Sequence, residues 1–265
     1  GHHWAGVGTG ARFSGTIDAR YPRGFTDLIM LHPEDFFQLD DPEMARLFTG
    51  CDIVWQALWH LADHVERLVD RKQTILGQVS DGAYVGPQVY IAEGARVAPG
   101  AYVMGPAYIG RGAFVNHGAF VRENVIMMPD SILGHACEAK HSLLLPGACA
   151  PHFNYIGDSI LGQHTNIGAG TKLSNLTLIS EKDAQTGQRP TVKLVIDGAE
   201  YDTQLAKFGA ILGDHAQTGC NSVLNPGCLV GRNSLVYANV SLRKGYYPPD
   251  SVIKLRQTIE IDARR

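Results

Sequence analysis

The sequence predicts an all-β fold, a parallel β-helix built from hexapeptide repeats and preceded by a helical segment. An apolar residue recurs at every sixth position from residue 85 to residue 145, and a mostly small residue follows each of them four positions later. A period of six fits neither a helix nor an isolated strand. It fits a solenoid in which every hexad adds one short strand to a stacked parallel sheet. The apolar series is Val85, Ile91, Val97, Val103, Ile109, Val115, Val121, Met127, Leu133, Ala139 and Leu145.

Three hexads make one coil, so residues 18 positions apart are expected to lie above one another. The repeat starts near Leu76 and keeps its register through Leu145. The next apolar residues followed by glycine, Ile156, Leu161 and Ile167, come at spacings of 11, 5 and 6 residues. A break in an otherwise strict repeat indicates a place where the backbone leaves the regular coil for a specific structural or functional reason.

The segment before the repeat, residues 25–75, predicts a helical cap. Proline and acidic residues mark two helix starts, at 32–35 and 41–43. Apolar residues then recur at helical spacing over residues 51–70, which predicts one amphipathic helix. We expect this helix to cover the open end of the first coil, because an uncovered β-helix end is a free sheet edge.

The remaining boundaries follow from the same pattern. Residues 1–24 are expected to be a flexible amino-terminal segment, and residues 76–250 form the β-helix. The repeat stops over 180–208, which is polar and is expected to leave the coil as one projecting loop. Residues 251–265 form a carboxy-terminal segment.

Bulk composition excludes some partners. The formal net charge of −3 gives no electrostatic footprint for nucleic acid, and no stretch reaches 18 apolar residues, so no membrane partner is expected. Cys137, Cys149 and Cys228 fall on small, inward-facing positions of the repeat, where a reduced thiol packs as a small hydrophobe. This usage favours a reducing compartment and therefore a cytoplasmic protein.

The repeat places Arg122 and Lys140 on equivalent positions of successive coils, roughly 5 Å apart along the stack. Two cations at that distance repel by about 3 kcal/mol at an effective dielectric of 20. Either the two side chains splay into solvent, or an anion, most simply a phosphate, lies between them.

Histidines form a second stacked pair, because His117 and His135 are also 18 positions apart. Stacked imidazoles can bind a metal, but the sequence offers no evident third ligand, and the favoured interpretation assigns no metal. A histidine near a carboxylate can also act as a general base, whereas the plain alternative for His152 is a surface loop histidine. The densest polar cluster lies around the break in register: Glu138, Lys140, His152, Asn154, Tyr155, Asn166 and Asn175.

Four stretches around the break form a specific motif: residues 135–140, 151–158, 165–171 and Asn175. Together they resemble the glucosamine-1-phosphate N-acetyltransferase half of bifunctional UDP-N-acetylglucosamine pyrophosphorylase. The resemblance extends over roughly residues 80–256. The insertion and residues 207–219 look more like the archaeal sugar-1-phosphate nucleotidylyltransferase/amino-sugar acetyltransferase branch.

The resemblance implies a left-handed coil, a homotrimer with active sites between subunits, and acetyl-CoA as co-substrate. It implies N-acetylation of an amino-sugar 1-phosphate, either glucosamine-1-phosphate or galactosamine-1-phosphate, on the way to a nucleotide sugar such as UDP-N-acetylglucosamine. The implied catalytic group is His152 as the base, Glu138 as its support and Asn175 beside the reacting groups. The implied substrate group is Arg122 and Lys140 on the phosphate, with Tyr155 and Asn166 on the sugar. The implied acetyl-CoA group is Ala169, Cys220, Ala238 and Arg256.

The sequence departs from the family in three ways. Leu176 stands where the family has a tyrosine, and Cys220 where it has a serine. Residues 1–75 hold no glycine-rich phosphate loop, so we expect no nucleotidyl transfer from these residues, and a separate nucleotidyltransferase is a candidate partner. Two other functions therefore remain open. One is a non-catalytic protein that binds sugar phosphates or regulates another enzyme, and the other is a metalloenzyme like the γ-carbonic anhydrases.

Overall fold

The structure, a computed structural model, describes residues 31–257, 260, 261, 263 and 264, and its main body is a three-sided prism of parallel strands. Each side is one sheet, here called A, B or C, and the chain visits A, B and C in turn. Sheets A and B hold nine strands each, and sheet C holds eight. The predicted flexible segment 1–24 lies outside the described residues.

The helices and strands have the following bounds. The helices are α1 (Pro33–Phe36), α2 (Pro42–Arg46) and α3 (Gln56–Val69). The strands of sheet A are β1 (Thr74–Ile75), β4 (Val89–Ile91), β7 (Ala107–Ile109), β10 (Val125–Met127), β13 (Ser142–Leu144), β16 (Ile160–Leu161), β21 (Ala210–Leu212), β24 (Cys228–Val230) and β27 (Gly245–Tyr247). The strands of sheet B are β2 (Gln78–Val79), β5 (Arg96–Val97), β8 (Phe114–Val115), β11 (Ile132–His135), β14 (Cys149–His152), β17 (Asn166–Ile167), β22 (Gln217–Thr218), β25 (Leu235–Val236) and β28 (Val252–Ile253). The strands of sheet C are β3 (Tyr84–Val85), β6 (Tyr102–Val103), β9 (Phe120–Val121), β12 (Glu138–Lys140), β15 (Tyr155–Gly157), β18 (Lys172–Leu173), β23 (Val223–Leu224) and β26 (Ser241–Leu242). A separate antiparallel hairpin is formed by β19 (Lys193–Ile196) and β20 (Ala199–Asp202).

Two edges of the prism matter for function. The B–C corner is where strands of sheet B turn into strands of sheet C, at residues 116–119, 135–137, 152–154, 168–171, 219–222 and 237–240. The C–A corner is where strands of sheet C turn into strands of sheet A, at residues 122–124, 140–141, 157–158, 174–209 and 225–227.

The core of the prism consists of the inward side chains that the hexad repeat predicts. Val97, Val115 and Leu133 stack along sheet B with no more than 1% exposure, and Ala95 and Ala113 fill the narrow corners beside them. Each coil thus buries branched side chains along the sides and small ones at the turns. The predicted fold class, a left-handed parallel β-helix of hexapeptide repeats with an amino-terminal helical segment, is confirmed.

The helical segment lies in a different place from the one predicted. The apolar face of α3, which includes Leu58, Leu61 and Val65, packs on the outer surface of sheet A across β4, β7, β10 and β13. The helix therefore covers a side of the prism and not its open end. Outward-facing Ile126 and Leu143 explain this position, because sheet A is apolar on both surfaces and needs a second layer.

The insertion also differs from its predicted form. Its hairpin does not project but folds back beside α3 on sheet A, where Leu194 and Ile196 are buried. The indole N–H of Trp59 donates to the carbonyl of Thr203 at 2.9 Å, and Phe208 is fully buried against Trp55. The alternating buried and exposed residues of β19 are those of a strand with one covered face.

The break in register begins earlier than the sequence suggested. Strand partners are 18 positions apart from β2 to β12, but Val125 pairs with Ser142 and Glu138 pairs with Tyr155, a separation of 17. One residue is missing at His141, so Leu144 and not Leu145 points inward. The same shift moves Cys149 out of the core, since it pairs with Ile132 on the outer surface of sheet B. A second shortened turn at Asp158 and the long insertion fall on the same C–A corner.

Candidate functional site

The predicted base, His152, ends β14 at the B–C corner. It pairs with His135 in the coil before, and the register of the next coils places Ala169, Cys220 and Ala238 after it in one column. The backbone bonds from Gly170 N to His152 O, from Asn221 N to Ala169 O and from Asn239 N to Cys220 O tie these coils together. One predicted catalytic residue and three predicted acetyl-CoA contacts therefore lie in a single row.

The orientation of His152 depends on a buried neighbour. Asn154 is 2% exposed, and its Oδ1 accepts from the His152 backbone N–H at 3.1 Å. Its Nδ2 donates to the carbonyl of Gly168 at 2.8 Å in the next coil. The His152 side chain itself is exposed beside the ring of Phe153. Asn154 thus fixes the turn from which the imidazole projects.

The row beyond His152 presents backbone to the outside. Ala169, Cys220 and Ala238 have small side chains, and within the described chain their N–H groups donate no hydrogen bond. The coils also approach closely here, because a Cβ on Gly168 would lie 2.6 Å from the Cys220 nitrogen. Such a row of free N–H groups can donate hydrogen bonds to the carbonyl oxygens of an extended ligand. Arg256, the last predicted acetyl-CoA contact, is exposed just after β28.

At the C–A corner, Arg122 and Lys140 stack as predicted, since the Arg122 N–H bonds to the carbonyl of Ala139. The anion between them is a side chain of the protein. Glu123 Oε2 lies 3.5 Å from Arg122 Nε, and Glu123 Oε1 lies 3.7 Å from Lys140 Nζ. The Glu123 carboxylate therefore lies between the two cations, and the phosphate expected at this place stays a prediction.

Glu138 does not reach the histidine that it was expected to support. It lies on the outer surface of sheet C, between Phe120 and Tyr155, and accepts from Arg122 Nη1 at 3.0 Å. His152 lies on the B–C corner instead. Within one chain, Glu138 and His152 share no hydrogen bond, and the Glu138 carboxylate is bonded to Arg122 instead.

Asp158 joins three predicted site residues, and the sequence did not single it out. Its side chain is 8% exposed and lies 3.7 Å from Lys140 Nζ. The Asn175 carboxamide donates to it, and Tyr155 Oη donates to Asn175 Oδ1 at 3.4 Å. Burial raises the pKa of Tyr155, helped by the nearby charges of Glu138 and Asp158. The signal for Asp158 was its place in the shortened turn, next to the break in the repeat.

A second residue missed at this corner is His141. It is largely enclosed, and its Nε2–H donates to the carbonyl of Leu58 at 3.0 Å, which links the corner to α3. Burial lowers the pKa of His141, and the charge of Lys140 adds to this effect, while Asp158 opposes it.

The stacked histidines His117 and His135 have parallel rings 5.2 Å apart. Each Nδ1 faces a carbonyl of the preceding coil, Pro99 O at 2.8 Å and His117 O at 3.0 Å. No group of three His, Cys, Asp or Glu side chains that could hold a metal ion occurs among the described residues. The pair therefore offers only two ligands.

The predicted substrate residues lie on different sides of the prism. Tyr155 and Lys140 belong to sheet C, whereas Asn166 is exposed on the outer surface of sheet B, paired with Cys149 and Gln217. His152 and the C–A corner lie at opposite ends of β15 (Tyr155–Gly157), about 10 Å for three extended residues.

The chain also has a cleft of about 580 Å³ between α2, α3 and sheet A, lined among others by Arg46, His60, Arg67 and Tyr108. None of the predicted site residues lines it. We place the candidate site on sheet C and its corners, because the ionisable and amide groups converge there and the row of free N–H groups borders it.

Comparisons with known proteins match the part of the chain that contains most of the candidate site residues. A family model described as the GMPPB C-terminal domain matches residues 103–196. The bifunctional protein GlmU of Methanococcus aeolicus is 35% identical over 208 residues, which are 78% of this chain and 48% of that protein. The bifunctional sugar-1-phosphate nucleotidylyltransferase/acetyltransferase of Sulfurisphaera tokodaii is 35% identical over 162 residues, 61% of this chain and 38% of that protein. The predicted resemblance is confirmed.

The chain spans less than half the length of these two curated relatives. Among solved structures, the UDP-N-acetylglucosamine acyltransferase of Francisella novicida aligns with a TM-score of 0.31 and 12% identity, over 62% of this chain and 58% of that one. Within the described part of the chain, no helix has the length and apolar character needed to cross a bilayer.

Proposed function

We propose that the chain is an acyltransferase that uses acetyl-CoA to N-acetylate an amino-sugar 1-phosphate. The observation that carries the proposal is the row formed by His152, Ala169, Cys220 and Ala238, a candidate base followed by unpaired backbone donors. The similarity to the GlmU proteins and to the bifunctional nucleotidylyltransferase/acetyltransferase supports it.

The reaction needs one base and one oxyanion site. His152 takes a proton from the substrate ammonium, and the free amine attacks the thioester carbonyl of acetyl-CoA. Backbone N–H groups of the row, with Ala169 nearest to His152, stabilise the tetrahedral oxyanion. The carbon–sulfur bond then breaks, and the nitrogen of the adduct releases its second proton to solvent, which leaves a neutral amide. The departing thiolate takes up the proton held by His152. No covalent enzyme intermediate is required, so Cys220 lines the site and does not act as a nucleophile.

The substrate phosphate binds to Arg122 and Lys140. A phosphate can take the place of the Glu123 carboxylate between the two cations, because both cations already face one shared anion. Glu123 and Lys140 are only partly exposed, so the displaced carboxylate must turn outward to solvent.

The active assembly is a homotrimer with sites between chains. Sheet A is covered by α3 and the hairpin, which leaves sheets B and C for contact between copies. The width of sheet C separates His152 from Lys140, so the base side of one chain and the phosphate side of its neighbour would form one site. Asn166, on sheet B, would also reach the sugar only from the neighbouring chain.

The product fits nucleotide-sugar biosynthesis in the cytoplasm. The described cysteines are all free, as in a reducing compartment. The second candidate function is a non-catalytic sugar-phosphate-binding protein, which the departures at Leu176 and Cys220 allow.

Thiol release from acetyl-CoA tests the proposal. Purified protein is mixed with acetyl-CoA and either glucosamine-1-phosphate or galactosamine-1-phosphate, and free thiol is followed over time. Glucose-1-phosphate, which lacks the amine, is the matched negative control. Thiol release with at least one amino sugar supports the proposal. Folded, trimeric protein that binds the sugar phosphates without releasing thiol would favour the non-catalytic function.

A further inference from the structure

We propose that Asp158 is a positioning residue that orients Asn175 to receive the substrate amine. The inference rests on the proposed function and deepens it, because it assigns the amino group of the substrate to the C–A corner. The relevant groups are Asp158, Asn175, Tyr155 and Lys140, which form one connected cluster.

The backbone holds Asp158 rigidly in place. Its N–H donates to the carbonyl of Lys140 at 2.9 Å, and its own carbonyl accepts from Gly209 N at 2.9 Å, where the chain returns from the insertion. Its φ of 47° is a turn conformation that aspartate tolerates better than most side chains. The carboxylate is therefore fixed between the coil of Lys140 and the coil of Asn175.

This arrangement decides which way the Asn175 carboxamide points. A carboxylate can only accept hydrogen bonds, so the Asn175 atom that faces Asp158 must be the Nδ2 donor. Oδ1 is then turned toward Tyr155, whose hydroxyl donates to it at 3.4 Å. Without the carboxylate, the amide could rotate and present N–H groups on this side.

The result is a surface suited to an amine. Asn175 Oδ1 keeps a second lone pair beside the bond from Tyr155, and Tyr155 Oη keeps its own lone pairs, so both oxygens can accept from an amine. The negative charge of Asp158 lies close by, because its carboxylate accepts from the same Asn175 carboxamide. An amino group carries donors and, before deprotonation, a positive charge, whereas a hydroxyl group at the same carbon carries one donor and no charge. Lys140 beside Asp158 keeps the phosphate end of the ligand on the same corner.

A binding comparison tests the inference separately from turnover. Isothermal titration of the full chain with glucosamine-1-phosphate and with glucose-1-phosphate measures the preference for the amine. The wild type is expected to bind the amino sugar at least about tenfold more tightly, which corresponds to about 1.4 kcal/mol. Asp158→Ala is expected to remove most of this preference, while Asp158→Asn, whose carbonyl oxygen still accepts from Asn175 Nδ2, retains a large part of it.

The chain offers a matched control. Asn233 Nδ2 donates to Asp250 Oδ1 at 3.0 Å in the same kind of turn, on the edge between sheets A and B. Asp250→Ala breaks an equivalent pair far from the site and is expected to leave the amine preference unchanged. Denaturant unfolding of each variant checks that it is folded.

An exchange of the two side chains sharpens the test. Asn175→Asp alone places two carboxylates against each other and is expected to weaken glucosamine-1-phosphate binding about tenfold or more. The double variant Asp158→Asn with Asn175→Asp restores a donor–acceptor pair and is expected to recover most of the binding.

The outcomes separate the two proposals. Amine preference that depends on Asp158, together with no thiol release, would keep this inference and reject the acetyltransferase function. Thiol release with an amine preference unchanged in Asp158→Ala would overturn the inference and leave the function standing. Equal binding of the two sugar phosphates by the wild type, or no binding of either, would also overturn it.

Discussion

The two corners that border sheet C are built in opposite ways. The B–C corner keeps its stacking from coil to coil and carries small, uncharged residues after His152, namely Ala169, Cys220 and Ala238. The C–A corner loses a residue at His141 and another at Asp158, and then receives the whole insertion. Three carboxylates and two cations meet there.

The difference reflects what each corner has to bind. A row of equivalent backbone donors needs only regular stacking, since the repeat reproduces the same N–H in every coil. A compact charged ligand needs side chains of different types that converge from several coils, and shortened turns achieve this by moving Asp158 and Asn175 relative to Lys140. We therefore expect substitutions at the first corner to affect the chemical step and substitutions at the second to affect substrate binding.

The largest effect is expected from His152→Ala, which removes the base from the B–C corner. Loss of a general base should lower kcat by about 10²- to 10⁴-fold, with the KM for acetyl-CoA nearly unchanged. Steady-state thiol release measures both constants. His117→Ala, two coils away in the same column, is the control and should retain full activity. A variant at His152 as fast as the wild type would show that the base lies elsewhere.

At the C–A corner, Lys140→Ala should raise the KM for the amino-sugar phosphate about 10- to 100-fold, because a charge-assisted hydrogen bond to phosphate is lost. The KM for acetyl-CoA should stay within about twofold, which would separate the two corners. Initial rates over a matrix of both substrates provide these values. If both KM values rose together, the assignment of phosphate binding to the C–A corner and acetyl-CoA binding to the B–C corner would be wrong.

Mixing the two impaired variants, assayed at amino-sugar phosphate concentrations below the KM of Lys140→Ala, tests whether the corners of different chains share one site. In mixed trimers of His152→Ala and Lys140→Ala, a site that combines the intact corner of each variant should regain activity. Random mixing after denaturation and refolding should restore about one quarter of the wild-type rate. Each variant refolded alone is the control. Mixtures no more active than the separate variants would place both corners of the site on the same chain.

The smallest expected effect is on stability and concerns His141. Because burial lowers the pKa of His141 in the folded chain, the unfolded chain binds a proton first as the pH falls below about 6.5. The free energy of unfolding should therefore fall on acidification, by at most about 1.4 kcal/mol per pH unit from this group, until the folded pKa is reached. Urea unfolding at pH 7.5 and 5.5 should show a weaker pH dependence in His141→Gln. An unchanged pH dependence would contradict the assignment.

Much of the fold was predictable because the core repeats. The hexad period correctly assigns inward positions such as Val97 and Ala113 from side-chain type alone. It misplaces the break, because one missing residue moves an apolar side chain from inside to outside without changing its character, as with Leu144 and Leu145. The amphipathic pattern of α3 shows that one face is buried but does not name the surface that buries it.

The site was predictable in its residue types and less so in its pairings. The stacking of Arg122 over Lys140 followed from the repeat alone, yet Glu123, the next residue in sequence, supplies the anion between them. Glu138 is close to His152 in sequence, but its carboxylate is hydrogen-bonded to Arg122 and not to His152. Asp158 has no periodic signature, and only the path of the backbone at the shortened turn brings it to Asn175.

The layer over sheet A has a consequence for how the molecule unfolds. In a bare solenoid each coil contacts only its neighbours, so the ends can fray one coil at a time. Here α3 spans four strands of sheet A, and its Trp59 is bonded to Thr203, 144 positions away. This layer of α3 and the hairpin couples the stability of distant coils. It should turn a stepwise process into a single cooperative transition, with the coils and their cover melting together.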